Sequence, residues 1–120
     1  MALGNHLIIE CHGCDSELLK DCFKVEEILK QSALTANATI LHSYFHKFDQ
    51  GEGVTGIIAL AESHISVHTW PEHFYMAIDI FMCGDCDPQI SADYISDKVI
   101  MTGMNISKII RGIDYTSTYH

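Results

Sequence analysis

The most reactive stretch of the chain is residues 62–72, which read ESHISVHTWPE and follow an apolar run over 57–61. A carboxylate, hydroxyls, two imidazoles and an indole come together directly after a predicted buried strand. Apolar and polar residues alternate over 64–69, which is the period-two pattern of a strand with two different faces. The stretch is therefore predicted to be a functional site carried by a strand.

One chemistry for this stretch uses Ser63 against its own backbone. Ser63 Oγ attacks the carbonyl carbon of Glu62, and the peptide bond becomes an ester. Loss of the Ser63 α-proton then eliminates the Glu62 carboxylate, and hydrolysis of the resulting dehydroalanine leaves a pyruvoyl group on the new N-terminus. Such a carbonyl can form a Schiff base with a substrate amine and withdraw electrons as carbon dioxide leaves.

A hydrolase is a second hypothesis, with Ser63 as nucleophile, a nearby histidine as base and Asp79 as the orienting carboxylate. No G-x-S-x-G elbow surrounds Ser63, and no glycine-rich segment nearby offers an oxyanion hole. The hydrolase hypothesis therefore gains no support from the local sequence.

A metal site is a third hypothesis, with His64 and His68 as ligands. Four residues along a strand advance about 13 Å, so these two histidines cannot bind one metal ion together.

The cysteines allow a non-enzymatic alternative. Two CxxC pairs could form a four-sulfur zinc site if the fold brought them together. Their residues are Cys11, Cys14, Cys83 and Cys86. With Cys22 the count is five, so complete internal pairing is impossible and some thiols are free. Without zinc, these residues are interpreted as free thiols.

Length and composition predict one globular domain over residues 1–120. The chain is 48% hydrophobic and 19% charged, and no apolar run reaches the roughly 18 residues needed to span a bilayer. A net charge of −9 with seven Lys and Arg argues against a nucleic-acid partner. The N-terminus lacks the pattern of a secretory signal, so we expect a soluble, cytoplasmic protein with no membrane partner.

The elements that must position the site are predicted to form an α+β fold. Strands are expected over 6–11, 39–48, 54–61, 64–69, 74–83 and 105–111. One helix is expected from Asp15 towards Asn37, and a second from Asp87 to Met101. The most economical arrangement is a two-layer sandwich, a mainly antiparallel sheet with both helices on one face. The opposite face is then left for a self-associating partner.

The motifs extend over nearly the whole chain. They are Gly4-x-His6-Leu7-x-x-Glu10, Cys14-Asp15, Phe45-His46-x-Phe48, Gly53-Val54-Thr55-Gly56, residues 62–72, Ala77-Ile78-Asp79, Phe81-x-Cys83-Gly84 and Arg111-Gly112. In order and spacing this set resembles the prokaryotic S-adenosylmethionine decarboxylases, pyruvoyl-dependent enzymes of spermidine and polyamine biosynthesis. The resemblance implies a zymogen that cleaves itself into residues 1–62, the β chain, and residues 63–120, the α chain.

The resemblance also implies roles for individual residues. Ser63 becomes the covalent pyruvoyl cofactor, and Glu62 ends the β chain. His68 assists processing, and Cys83 returns a proton to the substrate after decarboxylation, as imidazole and thiol groups can do. Thr55 stands where the family often has serine as a processing hydroxyl.

For the substrate, the resemblance implies an aromatic clamp. Phe48 and Trp70 are expected to hold the adenine and face the sulfonium, whose charge an aromatic face attracts. Glu72 is expected to bind the ribose hydroxyls. The family forms homodimers with active sites at the subunit interface, which agrees with the uncovered sheet face expected above.

A different substrate is the alternative. The acidic turn over 49–52, with Met76 and Met82, departs from the family pattern. Relatives of the family decarboxylate arginine or ornithine with the same pyruvoyl group, and added carboxylates would suit a cationic side chain. The sequence leaves this amino-acid decarboxylase open beside the S-adenosylmethionine decarboxylase.

Overall fold

A computed structural model describes residues 2–113 as one six-stranded sheet in the order β2-β3-β4-β5-β1-β6, with every neighbouring pair antiparallel. The elements are β1 (Gly4–His12), α1 (Ser16–Leu19), α2 (Cys22–Thr35), β2 (Ile40–Lys47), β3 (Val54–Leu60), β4 (Ser63–Trp70), β5 (Tyr75–Cys83), α3 (Pro88–Lys98) and β6 (Gly103–Arg111). The predicted α+β class and antiparallel sheet are confirmed. Met1 and residues 114–120, the two ends of the predicted domain, lie outside the described residues.

The prediction of two helices was wrong, because the first one is divided. The carboxylate of Asp15 accepts a hydrogen bond from the Glu17 amide and caps α1. Asp21 then accepts from the Lys24 amide at 3.0 Å and starts α2. A second N-cap restarts the helix where the apolar spacing alone predicts continuity.

The second predicted helix also ends earlier than expected. α3 closes at Lys98, and Val99 has extended backbone angles, φ −110° and ψ 123°. Val99 is buried all the same, so its side chain joins the core from outside the helix. The apolar spacing that predicts helix as far as Met101 therefore reflects burial rather than helical geometry.

All three helices lie on one face of the sheet. The side chains of Leu7, Ile65 and Ile80 point to this face and are almost fully buried against Leu29 of α2 and Ile95 of α3. The strands bury alternate residues, as the period-two pattern predicts. This layer is the hydrophobic core and fixes which residues face the other way.

The opposite side of the sheet, which we call the open face, is described by rows of cross-strand partners. One row is His42, Ala59, His64, Phe81, His6 and Ile109; the middle row is Tyr44, Ile57, Ser66, Asp79, Ile8 and Ser107; a third is His46, Thr55, His68, Ala77, Glu10 and Asn105. Beyond the first row lie Cys83, Gly4 and Arg111, and beyond the third lie Trp70, Tyr75 and His12. The open face thus carries Thr55, His68, Cys83 and Trp70, four of the eight predicted site residues.

Candidate active site

The Glu62-Ser63 bond lies at the tip of a tight hairpin. Leu60 pairs with Ser63 across β3 and β4, so Ala61 and Glu62 alone connect the two strands. Glu62 has φ 62°, a left-handed conformation that costs a residue with a side chain ~1–2 kcal/mol. The bond predicted to break is therefore preceded by a strained residue in a turn, where the two ends can separate after cleavage.

Cys83 contacts both sides of this bond. Its backbone amide donates to Ser63 Oγ at 3.1 Å, and its thiol donates to the carbonyl oxygen of Glu62 at 3.1 Å. A donor on the carbonyl oxygen stabilises the negative charge that develops there when a nucleophile attacks the carbon. The structure thus brings Glu62, Ser63 and Cys83 together in one group.

Gly4 makes room for the thiol. β1 pairs Gly4 with Cys83, and a Cβ at Gly4 would lie 2.6 Å from the Met82 carbonyl oxygen and 3.1 Å from Cys83 Sγ. Only glycine allows so close an approach of the two strands. The first glycine of the sequence motifs therefore has a packing role beside the candidate thiol.

The other predicted residues form a second group at the opposite end of β4. Phe48, Thr55, His68, Trp70 and Glu72 line one cavity of about 210 Å³. The Thr55 hydroxyl lies 3.1 Å from His68 Nδ1, and the His68 ring lies 6.1 Å from that of Trp70. A hydrogen bond at Nδ1 holds the imidazole and leaves its other nitrogen available for proton transfer.

The two groups do not meet within one chain. Ser63 and His68 are five residues apart on the same strand, which is about 16 Å. Ser63 and His68 are close in the sequence of residues 62–72, but this closeness does not mean that their side chains are close in space. His68 of this chain is therefore out of reach of Ser63 in the same chain.

The four-cysteine zinc hypothesis is wrong. Cys83 is the partner of Gly4 at one end of β1, whereas Cys11 is the partner of Met76 near the other end. Seven residues of strand separate these positions by about 23 Å, too far for one zinc ion. Burial, with smaller effects from Cys14 and Glu10, raises the pKa of the Cys11 thiol to about 12, so it is an inert core residue.

The acidic turn that suggests an arginine or ornithine substrate is already neutralised in part. The Glu52 carboxylate lies 3.6 Å from Lys20 Nζ and 3.8 Å from Lys47 Nζ. Gln50 and Gly51 of the same turn line the cavity, but Glu52 is not among its lining residues. One of the two carboxylates that favoured a cationic side chain, Glu52, is thus paired with lysines outside the cavity.

Asp79, the orienting carboxylate of the hydrolase hypothesis, lies in a network of polar residues on the open face. Asp79 accepts from Ser66 Oγ at 3.3 Å and lies 3.4 Å from His6 Nε2. Burial lowers the pKa of His64, as do neighbouring His6 and Arg111, while Asp79 acts in the opposite direction. These contacts join residues of four strands, β1, β4, β5 and β6, so no local motif could have revealed them.

Comparison with known proteins defines the class first. The crystal structure of the adenosylmethionine decarboxylase from Aquifex aeolicus superposes with a TM-score of 0.85 at 33% identity, covering 94% of this chain and 93% of that one. The fold is thus shared with an adenosylmethionine decarboxylase. Within residues 2–113, no helix has the length and apolar character to cross a membrane.

Sequence comparison then gives the family. The S-adenosylmethionine decarboxylase family model matches residues 5–112. The S-adenosylmethionine decarboxylase proenzyme of Pyrococcus furiosus is 42% identical over 113 residues, which is 93% of this chain and 81% of that protein. The proenzyme of Caldicellulosiruptor saccharolyticus is 41% identical over 93% of this chain and 90% of its own. The chain belongs to the S-adenosylmethionine decarboxylase family.

Proposed function

We propose that this chain is a proenzyme that cleaves itself between Glu62 and Ser63 and then decarboxylates S-adenosylmethionine, yielding the aminopropyl donor for spermidine biosynthesis. The observation that carries the proposal is the pair of hydrogen bonds from Cys83 to the Glu62 carbonyl oxygen and to Ser63 Oγ. Both groups of the reacting bond are held by one residue, in a chain that belongs to this family.

Self-cleavage follows from these contacts. Ser63 Oγ attacks the Glu62 carbonyl carbon, and the acyl group moves from the Ser63 nitrogen to its oxygen while the Cys83 thiol stabilises the charge on the carbonyl oxygen. A base removes the Ser63 α-proton, the Glu62 carboxylate leaves, and residues 1–62 and 63–120 become separate chains. Relief of the left-handed Glu62 conformation favours the broken state.

The residues of the chain fit a pyruvoyl group at position 63. That group supplies an electrophilic carbonyl for the substrate amine and an acceptor for the electron pair left by carbon dioxide. The Cys83 thiol returns a proton to the substrate carbon, a role that is supported by its hydrogen bond to the carbonyl oxygen of Glu62. Phe48 and Trp70 hold the adenine and attract the sulfonium, and Glu72 binds the ribose hydroxyls.

We further propose that the active enzyme is a homodimer with two composite sites. The open face exposes Ile8, Tyr44, Ile57 and Ile109, with 36%, 58%, 49% and 45% of their surface accessible. A two-fold axis near the middle row of this face would set the Ser63 end of one sheet against the His68 end of the other. The partner's His68 and Thr55 then serve Ser63, which overcomes the separation of about 16 Å along β4.

The cysteines support a cytoplasmic location for this enzyme. All five thiols are free in the described part of the chain, and Cys11 and Cys14 are buried. Disulfides persist in oxidising compartments and are rare where glutathione keeps thiols reduced. A cytoplasmic enzyme is the proposal that fits this state.

The first test is the intact mass of the purified protein before and after incubation, followed by carbon dioxide release from S-adenosylmethionine, arginine and ornithine. We expect two fragments, residues 1–62 and residues 63–120, of which the second carries the pyruvoyl terminus, and carbon dioxide release from S-adenosylmethionine alone. The Ser63→Ala variant is the control and must stay uncleaved. An intact wild-type chain, or release from arginine or ornithine instead, would contradict the proposal.

A further inference from the structure

Trp70 is one end of an aromatic row that crosses three strands. β4 and β5 pair Trp70 with Tyr75, and β5 and β1 pair Tyr75 with His12. The rings of Trp70 and Tyr75 stack with centroids 5.4 Å apart and planes at 29°, and those of Tyr75 and His12 with centroids 5.5 Å apart at 27°. The phenol ring therefore lies between the indole and the imidazole.

The same phenol is anchored at its hydroxyl. Tyr75 Oη donates a hydrogen bond to the carboxylate of Glu10, diagonally across the β1 and β5 pair. Cross-strand stacking restricts the ring planes, and a bond to a charged acceptor is stronger than one between neutral groups. Tyr75 is thus fixed both by its neighbours and by its own polar end.

The indole that Tyr75 supports belongs to the candidate substrate cavity. Trp70 lines that cavity together with Phe48 and Glu72, and 40% of its surface is exposed. A half-exposed aromatic side chain loses rotational freedom when a ligand stacks on it, and this loss weakens binding. A neighbouring ring that already holds the indole in place reduces the rotational freedom that is lost on binding.

We propose that Tyr75 and Glu10 are positioning residues for Trp70, so that the indole is oriented for a purine before substrate arrives. This inference rests on the proposed function, since it assigns the preorganised surface to the adenine of S-adenosylmethionine. Glu10 acts through Tyr75, and Tyr75 acts through Trp70. The two residues therefore affect substrate affinity and leave the chemistry at Ser63 unchanged.

Kinetics of Tyr75→Phe, Glu10→Gln and the double variant test the inference. Each single variant removes or weakens one hydrogen bond, which we expect to raise KM about three- to tenfold with kcat within about twofold. The double variant should be no worse than either single variant, because both changes break the same interaction. Tyr94→Phe on α3 is the matched control and should leave both constants unchanged. Unchanged KM in both single variants, or additive effects, would overturn the inference.

Tryptophan fluorescence gives a second readout that does not need turnover. Trp70 is the single tryptophan of the chain, so its emission and anisotropy report on this indole alone. We expect lower anisotropy and weaker quenching by 5′-methylthioadenosine in Tyr75→Phe and Glu10→Gln than in wild type. If the wild-type protein releases no carbon dioxide, the proposed function is wrong, but the fluorescence comparison still tests whether Tyr75 and Glu10 hold Trp70 in place. Equal anisotropy in all variants would overturn the positioning role alone.

Discussion

At the scale of single residues, Phe74 occupies a conformation that suits glycine. It has φ 52°, and its ring is 53% exposed, so packing compensates only part of the cost of a left-handed residue. We expect Phe74→Gly to raise the free energy of unfolding by about 1 kcal/mol. Urea denaturation in a Ser63→Ala background, which keeps the chain uncleaved, measures the change.

Phe74→Ala separates the backbone effect from the loss of the ring. Alanine retains a Cβ and the left-handed penalty, so it should give no gain in stability. Equal unfolding free energies for the glycine and alanine variants would show that strain at position 74 is not what limits stability.

His64 predicts a pH dependence with a definite sign. Burial, with His6 and Arg111, lowers its pKa in the folded chain from the ordinary value of 6.5. The unfolded chain therefore takes up a proton first as the pH falls below 6.5, and the free energy of unfolding decreases. Above 6.5 both states are neutral at this residue and the effect is absent.

The measurement compares urea denaturation of Ser63→Ala and Ser63→Ala/His64→Gln at steps between pH 8 and pH 5, values chosen to bracket the ordinary pKa. The difference between the two proteins isolates His64 from the other histidines of the open face. We expect the His64→Gln protein to lose less stability on acidification. A steeper loss in the variant would mean that His64 is stabilised in its charged form.

At the scale of elements, one buried hydroxyl joins a helix to two strands. Thr69 Oγ1 of β4 donates to the Leu19 carbonyl of α1 at 2.8 Å and accepts from the Val54 amide of β3 at 2.8 Å. Thr69→Val keeps the shape but leaves a buried amide and a buried carbonyl without this partner. We expect a loss of about 2 kcal/mol in urea denaturation.

Thr35→Val is the matched control for this prediction. Its hydroxyl bonds the Gln31 carbonyl within α2 and is exposed, so water can replace the bond. The expected loss is below about 0.5 kcal/mol. Similar losses at both positions would mean that the Thr69 hydroxyl does not connect the layers.

At the scale of the whole molecule, composite sites predict complementation between inactive variants. Ser63→Ala lacks the reactive residue but keeps the cavity, while Trp70→Ala/Glu72→Gln lacks the cavity but keeps Ser63. A mixed dimer has one complete site, and random pairing at equal amounts makes half of the dimers mixed. We therefore expect about one quarter of wild-type carbon dioxide release after co-expression.

Each variant expressed alone is the control and should be nearly inactive. Size-exclusion chromatography establishes that the mixed population is dimeric. Activity near that of the separate variants would contradict composite sites, because sites contained within one chain cannot be restored by mixing.

The sequence by itself determined the strands, whereas the bond proposed to react was predicted from the family resemblance. The period-two pattern over 64–69 fixes which side chains of β4 are buried, since a strand turns alternate residues to opposite faces. Turn residues, caps and apolar density located all six strands. Glu62 and Ser63 stand out only through the resemblance, because nothing in composition reveals a strained bond.

Only the tertiary structure decided which residues meet. The register of β4 against β5 brings Cys83 to Glu62 and Ser63. His68 lies on β4 as well, but about 16 Å from Ser63. The register of β1 against β5 likewise separates Cys11 from Cys83 and places Glu10 beside Tyr75. Local patterns specify the face of each residue, whereas register depends on the packing of distant segments, so contacts across the sheet had to be observed.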